Sequence, residues 1–391
     1  MTRQPCAANC CSADLTNDTY VIFVFNVIIV INAINDTTVF LPHTNMTKTA
    51  VIILNWNGEA MMRRFLPALV RHTADAEIIV ADNGSTDNSL PMLQKDFPSV
   101  KTLVFAENYG FAGGYNRAIE AVEAEYVVLL NSDVEVTEGW LPPLVEYMDS
   151  HGDVAACQPK LLSWHNRDSF EYAGAAGGYI DRYGYPFCRG RIFDTVEKDC
   201  GQYDTVADIH WATGACMMVR RETYLDCGGL DDLFFAHNEE IDLCWRMRLK
   251  GYAIRCIPAS AVYHVGGGTL PQGNPRKTFL NFRNNLTMIY KNIDRESFAN
   301  VFCVRFLLDA VAMLQLLLKG RAKEAWAVAK ARREFGRRKK IYAPIRSEIQ
   351  QSATAGKPML APFSIVWQYH VRRKHTFAEL FRKTEPYTTP R

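Results

Sequence analysis

The sequence predicts an α/β fold: a mostly parallel, doubly wound central sheet with flanking helices, followed by a C-terminal helical region. Short apolar runs at 50–54, 77–81 and 126–130 suit parallel strands covered on both faces. Helical patterns alternate with them through short loops, as in successive β-α units. Each run stops at Asn, Asp or Gly, which places polar loops together at the carboxyl edge of the sheet, where open α/β folds bind ligands.

The first run ends in Asn55-Trp56-Asn57-Gly58 and leads to a helical pattern with Leu66, Leu69 and Val70. The second ends in Asp82-Asn83-Gly84-Ser85-Thr86-Asp87, where Ser85 or Thr86 can cap the next helix. A third strand over 100–106 runs into the glycine-rich stretch from Asn108 to Asn116, and a helix is expected over about 115–123. The strand at 126–130 then meets Asn131-Ser132-Asp133. A carboxylate there can cap a turn, or can hold a divalent cation that in turn holds a diphosphate. Asn, Asp and Gly form turns on their own account, but three such loops at one edge describe a nucleotide site better than three chance turns. Glycines 110, 113 and 114 miss the dinucleotide spacing and there is no Gly-Lys-Ser/Thr loop, so side chains and a metal would hold the nucleotide.

The second half is less regular. Residues 157–210, rich in Gly, Tyr and Arg, read as strands and long loops. The stretch from His210 to Val219 reads as a loop entering a buried strand. A helix starting near Glu239 places Glu239, Glu240 and Asp242 in its first turn, where the helix dipole favours anions. Three acids beside a pocket also push a carboxylate's pKa upward, as a general base needs. Positions 240 and 242 diverge by about 200° on a helix, so Glu240 is expected to face the pocket and Asp242 to turn toward backbone or Arg partners. His264 ends another strand before three glycines, a placement that favours a ligand role.

Composition is that of a globular protein of 391 residues, 48% hydrophobic and 22% charged, with net charge +2. The charge is uneven: between Arg283 and Glu348 there are fifteen Lys/Arg against six Asp/Glu, leaving an acidic remainder. Residues 298–318 are largely apolar and carry Arg305 and Asp309, and 321–340 carry nine basic residues against two acidic ones. An apolar helix beside a basic one describes an anchor on an anionic membrane surface, with a solvated basic face as the plainer reading. Aromatic residues do not interleave with this charge in a way that suits nucleic acid. Eleven cysteines without a Cys-x-x-Cys pair argue for a reducing, cytoplasmic setting and against zinc or a disulfide framework. Residues 20–34 are apolar and β-branched but too short for a spanning helix, which needs roughly 20 residues. They also lack signal-peptide flanks. The expected organisation is an extension outside the fold over 1–47 with Met46 as working start, a catalytic domain over 48–292, and a basic helical region over 293–391.

Together these motifs resemble the family 2 glycosyltransferases with the GT-A fold, in particular the bacterial rhamnosyltransferase-like group, from about Lys48 to Asn292. The resemblance rests on the loops just quoted, with Gly214-Ala215-Cys216, the stretch from Glu239 to Arg246, and His264. It implies an inverting enzyme that moves a sugar, rhamnose being one candidate, from a nucleoside diphosphate sugar to a hydroxyl of a glycan or lipid-linked acceptor in cell-surface polysaccharide synthesis. It implies that Asn55, Asn57, Asp82, Asn83, Asp87, Asn108, Gly113, Gly114, Asn116, Asn131 and Ser132 line the donor site, with Asp82 on the base or ribose. Asp133 and His264 would hold Mg2+ or Mn2+, which puts their side chains within about 4–6 Å of each other. Glu240 would be the base, with Glu239 as rival, and Trp211, Gly214 and Asp242 would lie toward the acceptor. The chain departs from the family in having Glu-Glu for the usual Glu-Asp, and Asn131 for the first acid of the metal motif. Competing readings are a nucleotidyltransferase, for which no early triphosphate loop is found, and an inactive glycan-binding or membrane scaffold.

Overall fold

A computed structural model describes residues 19–24, 27–32, 47–266, 273–354 and 360–381, and the chain divides into two compact units, Met1–Met46 and Thr47–Arg391. In the first unit the β-branched apolar stretch forms an antiparallel pair, Thr19–Val24 with Val27–Asn32.

In the second unit strands and helices alternate: β1 (Thr47–Asn55), α1 (Glu59–His72), β2 (Glu77–Asp82), α2 (Ser89–Asp96), β3 (Lys101–Val104), α3 (Gly110–Glu120), β4 (Ala124–Leu130), β5 (Val134–Val136), α4 (Pro142–Ser150) and β6 (Val154–Ser163). β1, β2 and β4 are apolar throughout their centres because both sheet faces are covered. The helix expected over 115–123 starts earlier, at Gly110. Asn108 Oδ1 accepts the Gly110 N–H at 2.8 Å, and Gly110 enters the helix at φ +75°. Gly113 and Gly114 therefore lie within the helix. A Cβ at Gly114 would come within 2.6 Å of Leu54, so close packing on β1 outweighs glycine's low helix propensity.

Four short strands, β7 (Gly178–Ile180), β8 (Pro186–Cys188), β9 (Arg191–Ile192) and β10 (Thr195–Val196), make a small antiparallel sheet. β11 (Ala207–Asp208), β12 (Cys216–Arg220), α5 (Arg221–Asp226), α6 (Glu239–Leu249) and β13 (Ala253–His264) complete the body. The main sheet runs β11-β13-β6-β12-β4-β1-β2-β3, with β5 paired to β13. β12 is antiparallel to both β4 and β6, while β13 is parallel to β6. All long strands except β12 thus end at one edge, and the reversal of β12 brings the loop before it to the same edge.

The C-terminal helices are α7 (Pro275–Asn292), α8 (Arg295–Leu318), α9 (Ala322–Ser352), α10 (Ile365–His370) and α11 (Phe377–Leu380). A division at 292/293 does not correspond to a boundary between units. Tyr342 of α9 is buried with its hydroxyl 3.3 Å from Asp231, and Gln350 donates to the carbonyls of Lys291 and Asn292 at 3.3 and 3.2 Å. α9 closes over the end of α7, where chain and side-chain hydrogen bonds would otherwise be left unmade.

Candidate active site

The first two carboxyl-edge loops are tied to each other. Asn55 Nδ2 donates to Asp82 Oδ2 at 2.9 Å and to Ser85 Oγ at 3.1 Å, and Asp82 Oδ1 accepts the Ser85 N–H at 2.9 Å. Both side chains are fully buried. Asn57, at φ +51°, accepts the N–H groups of Thr86 and Asp87 at 2.7 and 3.3 Å. Asp87 accepts from Glu59 N and Ser89 N, at 3.1 and 3.0 Å, and so caps α1 and α2 at once. Its burial would raise its pKa; these hydrogen bonds win and lower it. Asn83 holds the next loop, donating to Asn108 Oδ1 and Gly110 O and accepting from Tyr109 N. Asn116 donates to Leu230 O and Asp232 and accepts from Tyr224 and Leu230 N. These residues build one half of the sheet's carboxyl edge. Their own polar atoms are largely engaged with protein.

Asp133 and His264 are brought together by backbone pairing. His264 stands opposite Val134 in the β13–β5 ladder, and Val265 N donates to Asp133 O at 3.0 Å. His264 Nε2 lies 3.1 Å from Asp133 Oδ1, closer than the expected separation because the two groups are directly hydrogen-bonded. Behind the ring, Glu171 Oε1 is 3.3 Å from Nδ1, and Glu171 Oε2 accepts the Ala173 N–H. Gly266, at φ +69°, leaves room for this carboxylate, since a Cβ there would be 3.0 Å from Glu171 Oε1. Burial alone would lower the His264 pKa; the partnering carboxylates Asp133 and Glu171 raise it to about 10. Asp133 is lowered, its burial outweighed by His264. Asp133 and a deprotonated His264 could hold a cation, with Glu171 on the other ring nitrogen as the orienting contact. Among the described residues no three His, Cys, Asp or Glu side chains close on one point. The pair would therefore leave coordination positions for water and phosphate oxygens, as Mg2+ and Mn2+ sites do.

The loop before β12 joins this edge through Asn131 N, which donates to Ala215 O at 3.0 Å. Next to it, a Cβ at Gly214 would lie 3.8 Å from the Glu240 Cβ. α6 then presents three acids with three fates. Asp242 is fully buried and accepts from Arg246, Lys291 and Asn292 at 2.9, 2.7 and 2.8 Å, and these partners hold its pKa down against burial. It turned toward an Arg partner, as its helical position predicts, and its assignment to the acceptor side is corrected: it joins α6 to α7. Glu239 is buried with Oε2 unpartnered, and burial together with the Glu240 charge raises it well above the carboxylate range. Glu240 is only partly buried, its Oε2 also lacks a partner, and burial pushes it up to about 7.

Trp211 is likewise corrected. Its ring covers Gly178 and its Nε1 donates to Tyr179 O at 3.1 Å, a core position with no acceptor-facing surface. Gly113 and Gly114 are buried inside α3, where the Gly113 carbonyl accepts from Arg117 Nη1 at 3.3 Å, and their placement against the donor is corrected. Asn131 and Ser132 remain partly exposed at the edge.

Sequence reasoning missed Glu171, which lies in an irregular loop without periodicity. It also missed Arg283 and Asn284. Phe235, His237 and Asn238, just before Glu239, all have positive φ, at 67°, 73° and 71°. Asn284 Nδ2 reaches the carbonyls of Phe234, Ala236 and His237, and Arg283 reaches that of Phe234. These clamps hold a strained segment directly ahead of the two glutamates. A run of buried polar residues in mid-helix, Arg283-Asn284-Asn285, was the available signal.

Residues 50–224 match the family model described as glycosyl transferase family 2. The N-acetylglucosaminyl-diphospho-decaprenol L-rhamnosyltransferase of Mycobacterium tuberculosis is 24% identical over 233 residues, 55% of this chain and 75% of that protein. The rhamnosyltransferase WbbL of Escherichia coli is 24% identical over 221 residues, covering 55% and 82%. Among solved structures, GalNAc-T7 with UDP, GalNAc and Mn2+ superposes with a TM-score of 0.49 at 16% identity, over 64% of this chain and 48% of that one.

Proposed function

We propose that this chain, whose residues 50–224 match the glycosyl transferase family 2 model and which resembles glycosyltransferases of glycan biosynthesis, moves a sugar from a nucleoside diphosphate sugar to a hydroxyl of a glycan or lipid-linked acceptor, with Glu240 as the base. The observation that carries the assignment is the division of labour on α6. Asp242 is locked in ion pairs, burial and the Glu240 charge raise Glu239 well above the carboxylate range, and Glu240 is a partly exposed residue with a buried, unpartnered Oε2 and a pKa of about 7. A base needs an open lone pair and a pKa close to working pH.

The Glu240 carboxylate takes the proton of the acceptor hydroxyl as that oxygen bonds to the anomeric carbon. The bond from that carbon to the phosphate oxygen breaks on the opposite face, and the nucleoside diphosphate leaves with the electron pair, so the anomeric centre inverts. Asp133 and His264 would hold a divalent cation, oriented from behind by Glu171. When bound, such a cation supplies charge neutralisation at the leaving diphosphate. Lys277 adds positive charge on this side: its charge reaches both Glu171 and His237. Asn131 and Ser132 stand at the same edge for the donor. Rhamnose is the first sugar to test, because two relatives bear rhamnosyltransferase names.

The test is release of nucleoside diphosphate from a panel of donors, with and without acceptors. Acceptor-dependent release from one donor, abolished in Glu240→Gln, is the expected result. No release from any donor, or unchanged release by Glu240→Gln, would overturn the reading.

A further inference from the structure

α8 is built inside out. Its two mid-helix charged residues face inward: Arg305 and Asp309 are among its few buried side chains. Arg305 donates to Asn285 Oδ1 and Tyr183 O, and Asp309 pairs with Arg305 and Arg332. The opposite face carries Phe306, Leu307, Val311, Leu314, Leu317 and Leu318 at helical spacing, each more than half exposed and Leu318 81% exposed. This stripe extends about 18 Å along the helix. Scattered exposed leucines are ordinary, whereas a continuous apolar stripe on a helix whose polar face is buried marks an interaction surface.

The rim of the stripe indicates its partner. At the Leu318 end the α8–α9 turn exposes Lys319, Arg321 and Lys323, and Trp326 follows at 71% exposure. Burial, then the charges of Arg373 and Lys319, lower the His370 pKa, so the end of α10 lies within electrostatic range of this turn. There Trp367 is 55% exposed, followed by exposed Arg372 and Arg373. The acids of α8 and α9 near this face have basic partners: Asp309 with Arg305 and Arg332, Glu324 with Arg321, Glu334 with Arg338. The remaining basic residues leave the rim positively charged. An apolar face flanked by exposed tryptophans and a basic surplus matches the acyl layer, the interfacial zone and the anionic headgroups of a bilayer.

We propose that this face of α8, with the α8–α9 turn and the end of α10, docks the protein on the surface of an anionic lipid bilayer without crossing it. α8 is long and apolar enough to span. Crossing would strip Arg305 and Asp309 of their partners on α7 and α9 and carry both charges into hydrocarbon. Lying flat keeps those ion pairs and immerses only the outer stripe, as interfacial helices do. The inference rests on this geometry and is independent of the transfer reaction.

The test uses the full-length protein with vesicles of phosphatidylcholine, with and without phosphatidylglycerol, alongside sedimentation velocity without lipid. Co-sedimentation with the anionic vesicles is expected. It should fall by at least about tenfold in Leu314→Asp/Leu318→Asp, the equivalent of losing about 1.4 kcal/mol of apolar burial. It should weaken in Lys319→Glu/Lys323→Glu and with added salt. All four positions are exposed, so thermal unfolding should match the parent and serves as the folding control. The proposal is overturned if the parent protein ignores anionic vesicles, or if the leucine variant binds as well as the parent. It is equally overturned if the parent forms a concentration-dependent dimer that the leucine variant abolishes, since a second copy would then be what covers the stripe.

Discussion

The two halves of the carboxyl edge use the same residue types to opposite ends. In the first half, Asn57, Asp82, Asn83 and Asp87 direct their oxygens and amides at neighbouring backbone and at one another, and Asn55 does so through its amide nitrogen while its Oδ1 is buried without a partner. In the second half, Glu239 and Glu240 keep a buried oxygen without a partner, and Asp133 meets only a histidine and nearby backbone. Unpartnered buried oxygens are costly, so they persist where something other than stability retains them. The contrast separates a scaffold that shapes the carboxyl edge from groups that the proposed reaction would use. Four measurements can break or sharpen it.

The largest effect is expected at Glu240. Glu240→Gln should lower transfer by at least about a hundredfold while leaving donor affinity within about threefold. Glu239→Gln should cost less than about tenfold, because burial and the Glu240 charge raise that carboxyl's pKa and disfavour its basic form. Comparing kcat and donor Kd for the two variants checks this, and the reverse ranking would move the base by one residue. Next comes the contact behind the histidine. Glu171→Gln should weaken Mn2+ binding by about tenfold or more, read from free Mn2+ by electron paramagnetic resonance, without needing turnover. Unchanged affinity would reduce Glu171 to a packing role.

On the scaffold side, Asp87→Ala removes the acceptor for two helix starts and should cost about 1–2 kcal/mol in urea unfolding. If it instead abolished donor binding at full stability, the first half would be binding machinery after all. The smallest effect is a pH dependence of stability. Burial raises Glu240 from 4.5 to about 7, so the folded chain keeps a proton that the unfolded chain has lost. Its contribution is fully present below pH 4.5 and fades as pH rises to about 7. Glu240→Gln should therefore gain stability over the parent across that window, on the order of 1 kcal/mol. The same group should make transfer rise with pH to a plateau above about 7, since a base works deprotonated.

Much of this was legible beforehand where it depended on local pattern. Apolar runs placed β1, β2 and β4, and turn residues marked their ends, because burial on both faces leaves a strand few options but Val, Ile, Leu and Ala. The first turn of α6 was readable from its acids, and the amphipathic strangeness of α8 from Arg305 and Asp309 in an apolar run. The start of α3 was misplaced because glycines 113 and 114 oppose helix in isolation and are tolerated only against Leu54.

The sequence by itself determined the α/β class, the polar carboxyl edge and the three acids at one helix start, and the family resemblance implied the pairing of Asp133 with His264. Tertiary structure alone decided what each polar group does. Asp242 is neutralised by Lys291 and Arg246, Glu171 arrives behind His264 from a loop without a pattern, and Trp211 is buried over Gly178. A side chain's partners, and with them its charge state, come from residues up to more than a hundred positions away. No local spacing encodes them, and only the folded chain brings them within hydrogen-bonding distance.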